Sequence, residues 1–554
     1  MILTGLLCQA VPILGRYKTR LFVFMMVNFS KAPDRWIMRI AVFMILVVIF
    51  YHFYAIGRMP SYPTDDDGAY AAAGYQIWLT GKPGVPGYKN VAGMGENIYV
   101  LGHIGAAFQG VCMRFLGVGI VTALLPSLFI GVACLVFLFL LGRELWGSKV
   151  GLLAVLLFSL SGVYFAASHS ARPDLMVTLF FLIALWTVAS ASLENSFWRL
   201  FFAGLVMGLS GDVHPNGFLL FPLPFAFWVL LRQLQWKQLR TGILAFGAGG
   251  LIGFVYWVIS HYLPNPSGFR YQSSVHGLAT HGVKILDHGL VGSLFIESQR
   301  YLNWFWNARG HRHLLEGLFI LLSAALLLWK GGRTGRAVVG IWALFFLIAA
   351  AFMSNSFGWY LIFAWPLFAL WMAKAIELIE WKWLSQGALA LIITAYLLNL
   401  GLWQWKASHE TPMKSWLPEL RAAIPANEPV FASAGLWFAL WDRDFTHEPY
   451  LPFREIEARL YPETGSTGWE VEQRKLGWRY IAAYGNLRRM LDPEVPVEQM
   501  LAVDPWRNRA DEVLKARDFS IKHCSVVTRF RSQEETITVL RVNDTNSLSP
   551  TNLP

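Results

Sequence analysis

A chain of 554 residues that is 55% hydrophobic and only 15% charged lies outside the usual range of soluble globular domains. The net charge of +11 would suit nucleic acid, but most Lys and Arg residues sit in short connections between apolar runs, where orientation signals of a membrane protein belong. Cys8, Cys112, Cys134 and Cys524 show no paired spacing, so neither a cysteine zinc site nor a disulfide framework is indicated.

Residues 1–36 read as a cytoplasmic N-terminal extension. The run Leu3–Leu14 is apolar but short, and no small-residue cleavage site follows it, which argues against a signal peptide; an overcalled start codon is the alternative. From there to residue 406 the chain repeats apolar stretches long enough to cross a hydrocarbon core of roughly 30 Å. Spans are expected at 37–56, 119–141, 150–168, 175–191, 199–212, 217–231, 241–260, 313–329, 337–354, 359–373 and 386–405, eleven helices in all. The stretch 98–117 carries His103, Gln109 and Arg114 between apolar positions, a spacing suited to a helix lying in the interface.

Charge bias supports this count. The short connections then assigned to the cytoplasm hold Arg143, Lys149, Arg199, Arg232, Lys237, Arg240, Lys330, Arg333, Arg336, Lys374 and Lys382, whereas the short outer ones hold only Arg172. The outer compartment receives the loop 58–118, the loop 261–312 and the tail after Lys406. In the tail, 407–554, Pro, Glu, Arg and Asp become frequent. Short apolar runs at Val430–Ala434, Tyr480–Ala483 and Thr536–Val542 read as strands, and Val497–Val503 and Ala510–Ala516 as helices. The expected fold is a polytopic α-helical membrane protein of about eleven spanning helices, interfacial helices in its first outer loop and a C-terminal α/β extracytoplasmic domain.

Ionisable residues gather on the outer side. Asp65, Asp66 and Asp67 follow the first span, with Tyr70 just beyond; three adjacent carboxylates repel, so one has a raised pKa, a metal or a cationic partner. A solvated acidic helix start is the bland alternative. The connection Ser168-His169-Ser170-Ala171-Arg172-Pro173-Asp174 places Asp174 at a helix N-terminus, because Pro173 suits a first turn. Asp212 and His214 repeat the theme in the next outer connection. Charges near membrane depth are costly, so three such clusters on one face favour a site over coincidence, although His214 taken alone reads as a structural residue.

These motifs, in their order and on their side of the membrane, resemble the glycosyltransferase C superfamily. The elements are Asp66-Asp67-Gly68-Ala69-Tyr70 after the first helix, a basic loop Arg143–Lys149, Arg172-Pro173-Asp174 at an outer helix start, and Tyr360 to Pro366 in a late helix. The likeness runs through roughly residues 37–375 and is strongest to the protein O-mannosyltransferase and aminoarabinose transferase branch. It implies an inverting hexosyl- or pentosyltransferase with a polyprenyl-phosphate-linked donor, Asp66 as the catalytic loop acid, Asp67 in the neighbouring acidic position and Asp174 in the second. Asp67 stands where Glu is common, Asp65 adds a third acid, and no basic residue precedes Tyr360.

An outer site has no supply of nucleotide sugars, so the donor must arrive through the bilayer as a lipid phosphate. Asp66 would take the acceptor hydroxyl proton. Cations for the phosphate come from Arg270, Lys284, Arg300, Arg309 and Arg312, with His276, His281, His311 and His313 beside them. Tyr70, His103, His169, Arg172, His214 and Tyr360 complete the candidate substrate-binding set. No cofactor is certain; a divalent cation such as Mg²⁺ or Mn²⁺ on Asp65, Asp66 or Asp174 would share the work. The partners expected are the lipid-linked donor, membrane lipids and a glycan, lipid or protein acceptor, with no nucleic acid, at the inner or plasma membrane. An oligosaccharyl or polymer-extending transferase of the same superfamily is the alternative. A secondary transporter is a second one, which Pro222 and Pro224, interrupting one helix, keep open.

Overall fold

The computed structural model describes residues 35–56, 65–89, 91–192, 196–232, 234–280, 284–307, 313–353, 358–409, 413–465, 467–498, 510–531 and 536–543. Each expected span coincides with helix: Arg35–Ile56, Ile120–Trp146, Ser148–Leu160 with Gly162–Ser168, Asp174–Ala189, Ser196–Val213, Asn216–Leu220 with Pro222–Leu231, Trp236–Trp257, Leu314–Lys330, Gly332–Phe352, Trp365–Leu378 and Lys382–His409. Four of the described helices are long and apolar enough to cross a membrane, and five if the pair Ser148–Leu160 and Gly162–Ser168, bent by 68°, counts as one. Outward faces of the apolar helices carry Phe50 at 72% exposure in Arg35–Ile56, Leu244 at 68% in Trp236–Trp257, and Leu321 at 68% and Trp329 at 78% in Leu314–Lys330. Apolar area of that extent is costly in water and costs nothing against lipid tails, so the surface is that of a polytopic membrane protein.

Two departures from simple spans have local causes. The bend after Leu160 lies at Ser161, an extended residue whose hydroxyl donates to the Phe158 carbonyl at 2.8 Å and accepts the Tyr164 N–H at 3.2 Å, ending one helix and capping the next. The run 359–373 opens instead as a 3₁₀ segment, Gly358–Phe363, and becomes α-helix only at Trp365, where Pro366 fits the first turn.

The closest helix pair is Ser196–Val213 with Trp236–Trp257. A Cβ on Gly204 would fall 2.0 Å from the Phe246 carbonyl oxygen, and one on Gly249 would fall 1.9 Å from that of Phe201. Gly208 and Gly253 face each other in the same way, 2.6 Å from opposing backbone. Small residues four apart on both helices let the backbones touch, the small-xxx-small contact of membrane helices.

The tail forms an α/β unit. Strands β1 (Val430–Ala432), β2 (Phe445–His447), β3 (Tyr480–Ala483), β4 (Cys524–Arg531) and β5 (Thr536–Val542) pair in the order β2-β1-β3-β5-β4. The first three run parallel, Val430 beside Phe445 and Tyr480, and β5 is antiparallel to β3 and β4. All three expected strands are present, as is the helix from Ala510, which runs on to His523; Val497–Val503 falls largely outside the described residues.

This unit does not stand apart from the helices that follow Arg35–Ile56. Asp65–Thr80 and His103–Leu116 share one apolar core with the sheet, separate from the core of the bundle. Tyr75 meets Trp437 and Trp441 at 6.2 and 5.4 Å, and Tyr88 meets Phe453 at 5.4 Å. Introducing Gly208→Val forces a side chain into backbone, so the protein should lose on the order of 1–3 kcal/mol of stability. Thermal unfolding in detergent should show this, whereas Gly247→Val, where a Cβ meets nothing within 4 Å, should leave the midpoint unchanged.

Candidate active site

The site is built around Arg172. Its guanidinium bonds the Asp66 carboxylate through one terminal nitrogen and donates through Nε to Asp174 Oδ2 at 2.7 Å. Asp66 stands in the first turn of Asp65–Thr80, and Asp174 begins the helix Asp174–Ala189, with Pro173 immediately before it. Acids at both positions suit the positive ends of helices. The two carboxylates, 108 residues apart in sequence, therefore meet one cation on one face of the molecule.

Asp67 has a different task. It is buried, and its Oδ1 accepts the Ser170 hydroxyl at 2.7 Å and the Ala171 N–H at 2.6 Å. Gln109 holds the same connection from the other side by donating its side-chain amide to the Ala171 carbonyl. Both groups fix the backbone that presents Arg172. Asp65 opens the helix, but its side chain lies outside the described residues.

The Asp66 side chain is 55% exposed yet sits in a recess walled by protein. Burial of the surrounding space pushes its carboxyl above the ordinary value; Arg172 pulls it down, and Asp67 and Asp174 push it up again. Tyr70 lies in the field of the same groups, and burial followed by the Asp66 charge holds its hydroxyl protonated well above the usual range. Burial works against the charge on Arg172, but Asp174 and Asp66 outweigh it and keep the guanidinium protonated.

Tyr360 is the buried floor of the recess. The guanidinium of Arg172 lies 5.9 Å from its ring centroid and that of Arg300 5.7 Å, two cation–π contacts on one ring. His214 approaches to 6.1 Å. Arg300 is buried and paired with Glu297 at 3.0 Å. Asp66, Arg172, Asp174, Tyr70, Tyr360, His214 and Arg300 are thus gathered together.

The other candidates lie elsewhere. His169 stacks on Phe165 at 4.1 Å, with its ring nitrogens against the Phe165 and His52 carbonyls, and burial lowers its pKa to about 4. His103 belongs to a second cluster with Asp212 and His261. Arg270 is exposed on the helix Pro266–Thr280, and His313 pairs with Glu316 at 2.9 Å under Trp304. His281, Arg309, His311 and Arg312, and the side chains of His276 and Lys284, lie outside the described residues. Gln109, Glu297 and His261 were absent from the sequence-based set. Among them only Glu297 carries a sequence signal, its i,i+3 spacing to Arg300.

Comparison with known proteins bears on the family and the fold. The family model described as dolichyl-phosphate-mannose-protein mannosyltransferase matches residues 103–260. No curated protein matches the sequence. The crystal structure of ArnT from Cupriavidus metallidurans bound to undecaprenyl phosphate superposes with a TM-score of 0.61 at 12% identity, over 92% of this chain and 98% of that one. The oligosaccharyltransferase of Archaeoglobus fulgidus in complex with Zn and sulfate gives 0.54 at 13% identity, over 87% and 71%. The Archaeoglobus fulgidus AglB structure with an inhibitory peptide and a dolichol-phosphate gives 0.52 at 13%, over 88% and 72%. The fold is that of these membrane proteins, and the chain resembles the glycosyltransferase C superfamily in sequence and architecture.

Removing the acceptor at Asp67 leaves two buried donors without a partner. Asp67→Ala is therefore expected to cost about 1–3 kcal/mol. Asp66→Ala, at a half-open position, should cost less, and the two thermal unfolding midpoints in detergent should rank accordingly.

Proposed function

We propose that the protein is a membrane glycosyltransferase that moves a sugar from a polyprenyl-phosphate donor to a hydroxyl-bearing acceptor on the extracytoplasmic face. The observation that carries this reading is the pairing of the half-open Asp66 with the buried Asp174 through Arg172. Two carboxylates against one guanidinium leave an excess of acceptors, and Asp174 Oδ1 is buried without a hydrogen-bond partner among the described residues. A recess rich in acceptors suits a ligand rich in hydroxyls. Support for the lipid donor comes from the fold shared with a structure that holds undecaprenyl phosphate and one that holds dolichol-phosphate.

In the reaction, the acceptor oxygen attacks the anomeric carbon while its proton passes to Asp66, and the bond from that carbon to the phosphate oxygen breaks. The polyprenyl phosphate departs with the electron pair, and a single displacement inverts the anomeric configuration. Arg172 is the nearest cation for the departing phosphate, with Arg300 beyond the Tyr360 ring. Asp67 positions Arg172 by holding the Ser170–Ala171 backbone. A divalent ion held by Asp66 and Asp174 would supply further positive charge for the departing phosphate, since one guanidinium against two acids leaves negative charge in excess. The fold shared with the archaeal oligosaccharyltransferase supports a larger transferred glycan as the second reading.

Purified protein incubated with a panel of polyprenyl-phosphate sugars should release polyprenyl phosphate, and Asp66→Asn should slow that release about 10²–10⁴-fold. Equal turnover by the variant would remove Asp66 as the base, and failure of every donor would remove the transfer reading. The base must be deprotonated, so kcat/KM should fall as pH drops through a value above the ordinary carboxylate pKa of 3.8. Replacing Arg172 by Gln removes the group that lowers the Asp66 pKa, and this acid limb should move to higher pH. A limb that stays in place would mean that another group titrates.

A further inference from the structure

A second cluster, not used in the transfer step, is formed by His103, Asp212 and His261. His103 begins the helix His103–Leu116 and Asp212 lies at the end of Ser196–Val213. His261 stands in the π-turn Val258–Tyr262 that finishes Trp236–Trp257. The glycine contact described above brings the last two helices together, so their ends meet. Asp212 is fully buried and His261 is 2% exposed.

Hydrogen bonding settles which ring atom of His261 offers a lone pair. Its Nδ1 lies 2.6 Å from the Tyr99 carbonyl oxygen, and a carbonyl only accepts, so Nδ1 carries the hydrogen. Nε2 then faces Asp212 Oδ1 at 2.7 Å, two acceptors in contact. Asp212 Oδ2 is already engaged by the Ile104 N–H at 2.8 Å. A cation must join Nε2 and Oδ1, either a proton or a metal ion.

His103 decides between them. Its ring stacks on that of His261 with centroids 4.0 Å apart and planes at 24°. Its Nε2 is buried and has no hydrogen-bond partner among the described residues, while the Ile98 backbone engages the ring's other side. A proton on His261 would satisfy one contact, leave His103 Nε2 orphaned and press a charged ring against a neighbouring imidazole. A metal ion would use all three groups. One ligand atom from each residue lies within 4.8 Å of the others. A tetrahedral ion with bonds of about 2.0–2.2 Å spaces its ligands about 3.4 Å apart, so binding would open the 2.7 Å Asp212 contact, draw in His103 from within 4.8 Å and turn its ring out of the stack. Backbone carbonyls that fix the tautomer of a histidine are the usual outer shell of such sites. Two imidazoles and one carboxylate suit Zn²⁺ better than Mg²⁺ or Ca²⁺.

We propose that His103, Asp212 and His261 bind one Zn²⁺ ion, with a fourth position left for a water molecule or a ligand oxygen. The ion ties the first outer loop to the ends of two membrane helices. This site is independent of the transfer reading, because its test is metal content.

Full-length protein freed of any affinity tag and purified without chelator should contain one zinc per chain by elemental analysis. After chelation it should take up one equivalent of added Zn²⁺ by calorimetry and show the visible absorption of tetrahedral Co²⁺ when that ion is supplied. His103→Ala and Asp212→Asn should lose the metal and the Co²⁺ absorption, and Asp66→Asn should keep both. If Asp212→Asn does not fold, His103→Ala, at a partly exposed position, gives the same reading. Wild-type protein that neither holds nor takes up zinc would leave a proton-bridged pair and end the proposal. So would zinc retained equally by His103→Ala, or lost equally from Asp66→Asn.

Discussion

Everything at the candidate site depends on one guanidinium. The connection between the helix Gly162–Ser168 and the helix Asp174–Ala189 is five residues long, yet it carries a cation at the edge of an apolar bundle. An isolated charge there would be expensive. Arg172 is affordable because Asp174 meets it from its own element and Asp66 from another, so each of the three offsets the desolvation of the others. Removing Arg172 would leave two carboxylates uncompensated, whereas removing one acid leaves the other paired with the guanidinium. The same pairing fixes the helix Asp65–Thr80 to the bundle, which is why acids from two distant segments face one space.

That loop is held from its other side by the tail. A Cβ on Gly68 would fall 2.0 Å from the Ala434 carbonyl oxygen, so the helix bearing Asp66 is seated directly on the turn after β1. Farther along, Gln272 donates to the Ala92 and Asn97 carbonyls and accepts the Tyr99 N–H at 2.7 Å, while Glu457 accepts the Ala92 N–H at 2.8 Å and the Tyr271 hydroxyl at 2.7 Å. The α/β unit is thus part of the scaffold of the recess. A surface that only displayed a separate module would not interlock three segments through buried polar contacts.

The helices were legible because apolar length is a strong signal that needs no partner. Ile120–Trp146 and Trp236–Trp257 follow directly from it. So did the short charged connection at 168–174, since charges between apolar runs stand out in any sequence. What the sequence could not supply was orientation. His169 and Arg172 lie three residues apart in the same connection, yet one packs into the interior and the other pairs across the site, a choice made by Asp67, Gln109 and Phe165 from other elements. Asp212 and His261 are 49 residues apart, and nothing local in either predicts a 2.7 Å contact; it follows from glycines that let two helices touch. The adjacent carboxylates 65–67 read as one motif, and only packing separates the half-open Asp66 from the buried Asp67.

That separation has a chemical consequence. A carboxylate oxygen that accepts from a fixed backbone N–H and a hydroxyl, as Asp67 Oδ1 does from Ala171 and Ser170, serves to hold a connection in place. A carboxylate in a recess, raised by burial and lowered by one guanidinium, has a basicity set by how firmly that guanidinium stays with it. Any anion that enters the recess competes for Arg172, and each degree of competition returns basicity to Asp66. In the proposed transfer reaction, the arrival of a negatively charged group would thus be coupled to the basicity of Asp66 through one hydrogen-bonded pair.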